Sequence, residues 1–117
     1  MNREEIEYYY YYGVLEENVG YKKDDRISME ELKKCILNEE LDKYCNIEFN
    51  PSILTITYMI ALIEKENSFS ILSTGEKGAG VEVEFQDIGL ALNYMLAQLR
   101  LRKKCVIEQS NSDKKEV

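Results

Sequence analysis

Residues 53 to 63 of this chain read Ile53-Leu54-Thr55-Ile56-Thr57-Tyr58-Met59-Ile60-Ala61-Leu62-Ile63, the longest uncharged and largely apolar run in the sequence. The run is rich in β-branched and aromatic residues, and the polar segment 64–67 ends it abruptly. These features are typical of a buried strand that enters a turn. The preceding Asn50-Pro51 would also suit the start of a helix, but the isoleucine and threonine content favours a strand.

Two further strands follow this run. Residues 68–71 alternate between polar and apolar, and Val81–Phe85 alternate more regularly. The intervening segments, 64–67 and 75–80, contain the residues that form turns. The pattern predicts a three-stranded antiparallel meander from about residue 52 to residue 86, with one face buried. Alternation over residues 46–49 is compatible with a short additional edge strand.

The N-terminal segment is predicted to be a helix over residues 3–18. Asn2 followed by Glu5 has the form of a capping box, which marks a helix start. The competing interpretation is a strand, because the five consecutive tyrosines at 8–12 prefer strands and Gly13 weakens a helix. On a helix, one face would carry Ile6, Tyr9, Tyr10, Gly13 and Val14.

Two more helices are predicted from their start signals and apolar spacing. Ser28 and Glu31 form a capping box before a helix from 29 to about 44, with a possible break near Asn38. Asp87 is expected to cap the last helix. Its apolar face has three- and four-residue spacing and comprises Ile88, Ala91, Leu92, Met95, Leu96 and Leu99.

The end of the last helix is basic, and the chain after it is polar. We attribute the cluster of Arg100, Arg102, Lys103 and Lys104 to the helix dipole, which favours cations at a C-terminus. Residues 109–117 have the composition of a disordered tail, which leaves 1–108 as a single globular domain. The predicted fold is therefore α+β, with two N-terminal helices, the three-stranded antiparallel meander, and a C-terminal helix packed on the sheet.

Composition limits the environment of the protein. No window approaches the roughly 20 apolar residues that a membrane span needs, and the polar N-terminus shows no secretory signal. The 3 cysteines lack C-x-x-C spacing and the chain has no histidine, so the common zinc sites are excluded. We expect free thiols and a cytoplasmic protein without metal or cofactor.

The sequence also argues against an enzyme. Without histidine, the usual general base near neutral pH and any Ser-His or Cys-His pair are absent. The glycine-rich segment 75–80 joins two strands, so it does not lead into a helix that would bind phosphate. Adjacent carboxylates on a helix point about 100° apart and do not form a shared acid–base site.

The tyrosine block and the acidity of the N-terminal half point to protein binding instead. The net charge is −7, and residues 1–50 hold 13 acidic against 7 basic residues. Such a surface repels nucleic acid and attracts basic partners. Consecutive tyrosines cannot all face inward, and exposed tyrosine is enriched in interfaces, although packing on the sheet is an equally good explanation. The candidate partner-binding residues are Tyr8, Tyr9, Tyr11, Tyr12, Glu16, Glu17, Asp24 and Asp25.

Residues 53–102 resemble the small acidic immunity proteins of bacterial polymorphic-toxin and contact-dependent inhibition systems. The shared pattern is a hairpin, an acidic strand such as Val81–Phe85, and a final helix that opens with Asp87-Ile88-Gly89-Leu90-Ala91-Leu92-Asn93-Tyr94. The resemblance implies a cognate toxin, often a nuclease with a basic cleft, blocked in a one-to-one complex. Two alternatives are a small cytosolic adaptor or regulatory subunit, and a homodimeric structural protein.

Overall fold

A long C-terminal helix packed on a mixed β-sheet organises this α+β chain, and the α+β class is confirmed. The computed structural model describes residues 1–54, 56–76 and 80–115, with side chains as far as Asn111. In chain order the elements are α1 (Arg3–Tyr8), a π-helical segment (Tyr9–Gly13), α2 (Val14–Val19), α3 (Met29–Asn38), a 3-10 turn (Leu41–Lys43), β1 (Asn46–Phe49), β2 (Met59–Glu64), β3 (Phe69–Thr74), β4 (Gly80–Phe85) and α4 (Ile88–Lys115).

The sheet has four strands in the order β1-β2-β3-β4. The antiparallel meander of β2, β3 and β4 agrees with the prediction. The short additional edge strand that alternation allowed over residues 46–49 is present as β1. The prediction of a three-stranded, all-antiparallel sheet is wrong, because β1 pairs with β2 in the parallel sense, with Ile47 opposite Ile60 and Phe49 opposite Leu62. Parallel pairing requires the chain to return along the strand before it pairs, and alternation within residues 46–49 carries no information about that return.

The apolar run 53–63 is a strand only in its second half. β2 begins at Met59, whereas Ile53 and Leu54 are exposed, and Thr55 lies outside the described residues. The division falls at Tyr58, whose φ of 50° is left-handed and breaks the extended conformation. Hydrogen bonds fix this residue, since the amide of Tyr58 donates to the carbonyl of Gly75 at 3.2 Å and its carbonyl accepts from the amide of Asn46 at 2.8 Å.

The predicted helix starts are present in the structure. Asn2 Oδ1 accepts from the amide of Glu5 at 2.8 Å, and the chain stays helical from there to Val19. Ser28 forms the complete predicted capping box of α3. The predicted break near Asn38 is also confirmed, because α3 ends there and a separate 3-10 turn follows.

Helix α4 buries its apolar face against the sheet and the other helices. Asp87 Oδ1 caps it by accepting from the amide of Leu90 at 3.0 Å. Of the predicted face, all but Ile88 are buried: Ala91, Leu92, Met95, Leu96 and Leu99. These side chains pack with Leu15 of α2, Leu32 of α3 and the strand residues Ile60, Leu62 and Ile71. The core therefore lies between α4 and one face of the sheet.

Helix α4 is longer than the sequence predicts. It runs to Lys115, so residues 109–115 of the predicted disordered tail are helical, and residues 116–117 lie outside the described part of the chain. Part of the predicted turn at 75–80, namely residues 77–79, also lies outside it.

The basic cluster of α4 has a different role from the one predicted. Its residues lie near the middle of the helix, so the C-terminal dipole does not explain them. Each one instead donates to a neighbouring element: Arg100 to the Glu39 carboxylate (2.9 and 2.8 Å), Arg102 to the Thr74 carbonyl (3.3 Å), Lys103 to the Glu39 carbonyl (2.5 Å), and Lys104 to the Asn18 carbonyl (3.2 Å). The cluster holds α2, α3 and β3 onto α4.

Candidate partner-binding surface

Helix α1 carries no buried residue. Its main contacts are with the π-helical segment that follows it, and not with the sheet or with α4. Its first turn is acidic, with Glu4 and Glu5 after the Asn2 cap. The N-terminal turns of the protein therefore present nearly their whole circumference to solvent.

One part of this exposed surface, which continues from α1 into the π-helical segment, is apolar. Ile6, Tyr9 and Tyr10 are 54%, 48% and 62% exposed. These three residues belong to the face that the apolar spacing in the sequence identified, but they are exposed to solvent. The residue that is fully buried in the following helix, α2, is Leu15, which is not part of that face. We call Ile6, Tyr9 and Tyr10 the tyrosine surface.

The π-helical segment explains why periodicity does not identify the buried face. The amide of Val14 bonds to the carbonyl of Tyr9, five residues back, so the turn contains one residue more than an α-helical turn. An added residue rotates the following side chains by about 100° relative to the preceding ones. Residues that share a face in a regular helix are therefore separated in this one.

The second half of the tyrosine block anchors the helix to the body of the protein. The ring of Tyr12 stacks on Tyr21 with centroids 6.4 Å apart and meets the edge of Tyr94 at 5.9 Å. The Tyr94 hydroxyl donates to the carbonyl of Tyr11 at 3.1 Å. Two of the sequence-predicted binding residues, Tyr11 and Tyr12, are thus half-buried and engaged within the chain.

Two other predicted tyrosines are held by two predicted acids. The Tyr8 hydroxyl donates to Glu16 at 2.5 Å, and the Tyr9 hydroxyl donates to Glu17 at 2.8 Å. These hydrogen bonds raise the pKa of both phenols, so Tyr8 and Tyr9 stay protonated. The bonds span the π-helical segment and restrain rings that are exposed to solvent.

The two predicted aspartates lie in the exposed loop after α2 and have different neighbours. The hydrogen bond that Tyr8 donates to Glu16 is the main cause of the raised pKa of Tyr8, followed by desolvation and the charge of Glu16, and the charge of Asp24 contributes after these. Asp25 lines a separate cavity of about 400 Å³ between α2, α3 and α4. Asp24 therefore belongs with the tyrosines, whereas Asp25 faces elsewhere.

Sequence reasoning missed Tyr10, Ile6 and Lys23 as candidate residues. Tyr10 is the most exposed of the described tyrosines, and it lines a groove of about 260 Å³ with Val81 of β4 and Gln98 of α4. Lys23 places its ammonium near two tyrosine rings. The apolar spacing of Ile6 and Tyr10 was visible in the sequence, but the direction of that face depends on the π-helical turn.

Three further observations concern metal ligands, thiol chemistry and membrane spans in the described residues. No group of three or more cysteine, aspartate or glutamate side chains among them is placed to hold a metal ion. Burial raises the pKa of the Cys45 thiol to about 11, which disfavours a nucleophilic thiolate. Within the same part of the chain, no helix is both long and apolar enough to cross a bilayer.

Comparisons of the chain with protein-family models, with curated proteins and with solved structures found no match.

Proposed function

We propose that this protein is a non-enzymatic, cytoplasmic inhibitor that binds another protein, and specifically an immunity protein that neutralises a cognate bacterial toxin with a basic surface. The observation that carries the proposal is the tyrosine surface: Ile6 of the capped helix α1 and Tyr9 and Tyr10 of the π-helical segment are all exposed, and α1 buries none of its own residues. Large exposed apolar side chains on an ordered element are characteristic of interaction sites.

The charge around the tyrosine surface selects the partner. Residues 1–20 hold five acidic residues, Glu4, Glu5, Glu7, Glu16 and Glu17, and a single basic one, Arg3. All five acids are exposed. An acidic rim around aromatic anchors favours a basic protein and accelerates its association. The resemblance of residues 53–102 to toxin-immunity proteins supports a toxin as that partner.

The size of the surface indicates how far the interface must extend. A standard interface buries about 800 Å² on each partner. The helical segment Arg3–Val19 is roughly 25 Å long, and one side of a helix about 10 Å wide gives a footprint of only about 250 Å². The partner must therefore also contact neighbouring surfaces, and the groove beside Tyr10 and the loop that carries Lys23 and Asp24 adjoin the helix.

A second copy of the chain fits this surface less well. A two-fold symmetric dimer through α1 would bring the same acidic residues on the two chains close together, and like charges at such distances repel. A partner of opposite charge meets no such penalty.

The direct test is protection of cells by co-expression. Expression of this chain should rescue cells that produce the toxin domain encoded beside its gene, and the two proteins should copurify in a one-to-one complex. An unrelated acidic protein of similar size is the control for charge alone. No rescue and no complex with that domain would overturn the proposal, and copurification with a non-toxic host protein would favour an adaptor instead.

A further inference from the structure

The ammonium of Lys23 lies over two neighbouring aromatic rings. Its Nζ is 5.8 Å from the ring centroid of Tyr8 and 5.8 Å from that of Tyr12. The two rings are themselves in contact, with centroids 5.3 Å apart and planes inclined by 45°. Both distances fall within the range at which a cation is attracted to a π face. We call the rings of Tyr8 and Tyr12 the ammonium site; the Glu16 carboxylate accepts a hydrogen bond from the Tyr8 hydroxyl at 2.5 Å.

The rings of this site are held by the fold, whereas the cation is not. Tyr8 is fixed through Glu16, and Tyr12 is fixed by its stacking on Tyr21. Lys23 is an exposed residue of the loop after α2, and it makes no salt bridge among the described residues. A preformed site is therefore occupied by a side chain that can leave without disturbing the core.

The aromatic cluster that includes Tyr12 also contains a buried polar atom without a partner among the described residues. The hydroxyl of Tyr21 is buried and has no hydrogen-bond partner among the described residues. Tyr21 is 6% exposed, and its ring stacks on Tyr12 of the site. Buried polar atoms without a partner are rare in folded proteins and are frequently functional or satisfied by a bound molecule.

We propose that the ammonium site binds the side chain of a lysine from the partner protein, and that Lys23 occupies the site as a placeholder in the free protein. The proposal deepens the proposed function and rests on it, because it names the residue type with which a basic partner anchors to the acidic surface. On binding, the partner ammonium displaces that of Lys23, and the freed Lys23 returns to solvent.

The exchange makes the site selective at little cost. One primary ammonium replaces another, so the attraction to the two rings is conserved and no charge is buried without compensation. A neutral side chain would displace Lys23 without replacing its cation–π contacts, and is therefore disfavoured. If each contact contributes what exposed cation–π pairs usually do, removal of Lys23 should strengthen binding of an external ammonium by about fivefold to thirtyfold.

The test is a titration of the full chain, with isotope-labelled tyrosine rings observed by NMR. The probe is Nα-acetyl-lysine N-methylamide, and the matched control ligand is the same compound acetylated on its side-chain nitrogen, which removes the charge. Four proteins are compared: the natural chain, Lys23→Ala, Lys22→Ala and the double variant Lys23→Ala with Tyr8→Leu. Lys22 is exposed, adjacent to Lys23 and equal in charge, so it controls for the change in net charge.

We expect Lys23→Ala to bind the charged probe about fivefold to thirtyfold more tightly than Lys22→Ala, with shifts at Tyr8 and Tyr12. Adding Tyr8→Leu to Lys23→Ala should abolish this binding, and the acetylated probe should not bind. Equal binding by the Lys23 and Lys22 variants, equal binding of both probes, or no saturable shift in Lys23→Ala would each overturn the inference. If the toxin binds the natural chain and Lys23→Ala with equal affinity, the ammonium site is wrong but the proposed function stands. If the probe binds as expected but no complex with a toxin forms, the site is supported and the proposed function is wrong.

Discussion

Replacement of Tyr94 with Phe tests how the N-terminal helix is held on the body of the protein. The change keeps the ring, which is 2% exposed, and removes the hydroxyl that donates to the carbonyl of Tyr11 at 3.1 Å and accepts from Gln98 Nε2 at 2.9 Å. Each such bond contributes about 1 kcal/mol, and an acceptor left without a partner in a partly buried place costs about 1–3 kcal/mol. We therefore expect the free energy of unfolding to fall by about 2 kcal/mol.

The assay is urea unfolding followed by circular dichroism, with thermal unfolding as a second measurement. In a chain of this size, a loss of about 2 kcal/mol should lower Tm by roughly 8 °C. Tyr10→Phe is the matched control, because Tyr10 is 62% exposed and loses a hydroxyl that lies at the surface, so its stability should change by less than about 0.5 kcal/mol. If Tyr94→Phe is as stable as this control, the hydroxyl does not hold the helix and the reasoning is wrong.

Three further predictions concern the pKa of Tyr94, the ion pair of Arg100 with Glu39, and Gly13. Burial raises the pKa of Tyr94 to about 12, so the unfolded chain loses this proton at a lower pH than the folded chain does. Between about pH 10 and about pH 12, Tyr94 should therefore contribute about 1.4 kcal/mol per pH unit to the loss of stability, in addition to the loss from Tyr21, whose pKa burial also raises. Urea unfolding of Tyr94→Phe should show a decline that is shallower by this amount, and an equal slope would contradict the prediction. A double-mutant cycle of Arg100→Gln and Glu39→Gln should give a coupling energy of about 1 kcal/mol. Salt should reduce this coupling because the ion pair is partly exposed. A coupling below about 0.3 kcal/mol would show that this ion pair does not hold α3 on α4. A Cβ on Gly13 would lie 2.6 Å from Tyr9 Cδ2, so Gly13→Ala should not give the stabilisation of about 1 kcal/mol that alanine normally gives a helix. In a Tyr9→Ala background, where the clash is absent, thermal unfolding should show that stabilisation. The same effect of Gly13→Ala in both backgrounds would contradict the clash.

The helix starts and the antiparallel strands could be predicted from the sequence, because interactions between residues close together in the chain determine them. The caps at Asn2, Ser28 and Asp87 depend on a side chain and an amide three residues away, so their spacing identified three helix starts correctly. The antiparallel strands β2 to β4 follow one another through short connections, so alternation and turn residues were sufficient to predict them.

The remaining features depend on interactions between distant residues. Parallel pairing of β1 with β2 requires a return of the chain through residues 50–58, and Tyr58 adopts its left-handed conformation because Asn46 and Gly75 bond its backbone. No pattern within residues 53–63 marks Tyr58 as the place where the apolar run divides.

The orientation of the candidate site could not be read from the sequence for a similar reason. The tyrosine block predicted that some rings reach the surface, but the π-helical turn decides which ones. Tyr12 turns inward because Tyr21 and Tyr94 receive its ring, whereas Tyr10 stays exposed. The pairing of Tyr8 with Glu16 spans that same turn, so ordinary helical spacing does not anticipate it.

The central claim is that the tyrosine surface binds a basic partner, and calorimetric affinity for the co-expressed toxin domain tests it most directly. The variant replaces Ile6, Tyr9 and Tyr10 with serine. The control replaces Ile53 and Leu54 with serine, because these residues are also exposed and apolar but lie on the segment before β2. Since interface anchors contribute about 2 kcal/mol or more each, we expect the first variant to weaken binding by at least about 100-fold. The control should stay within about threefold of the natural chain. Equal affinity of the two variants, with both folded by circular dichroism, would contradict the account.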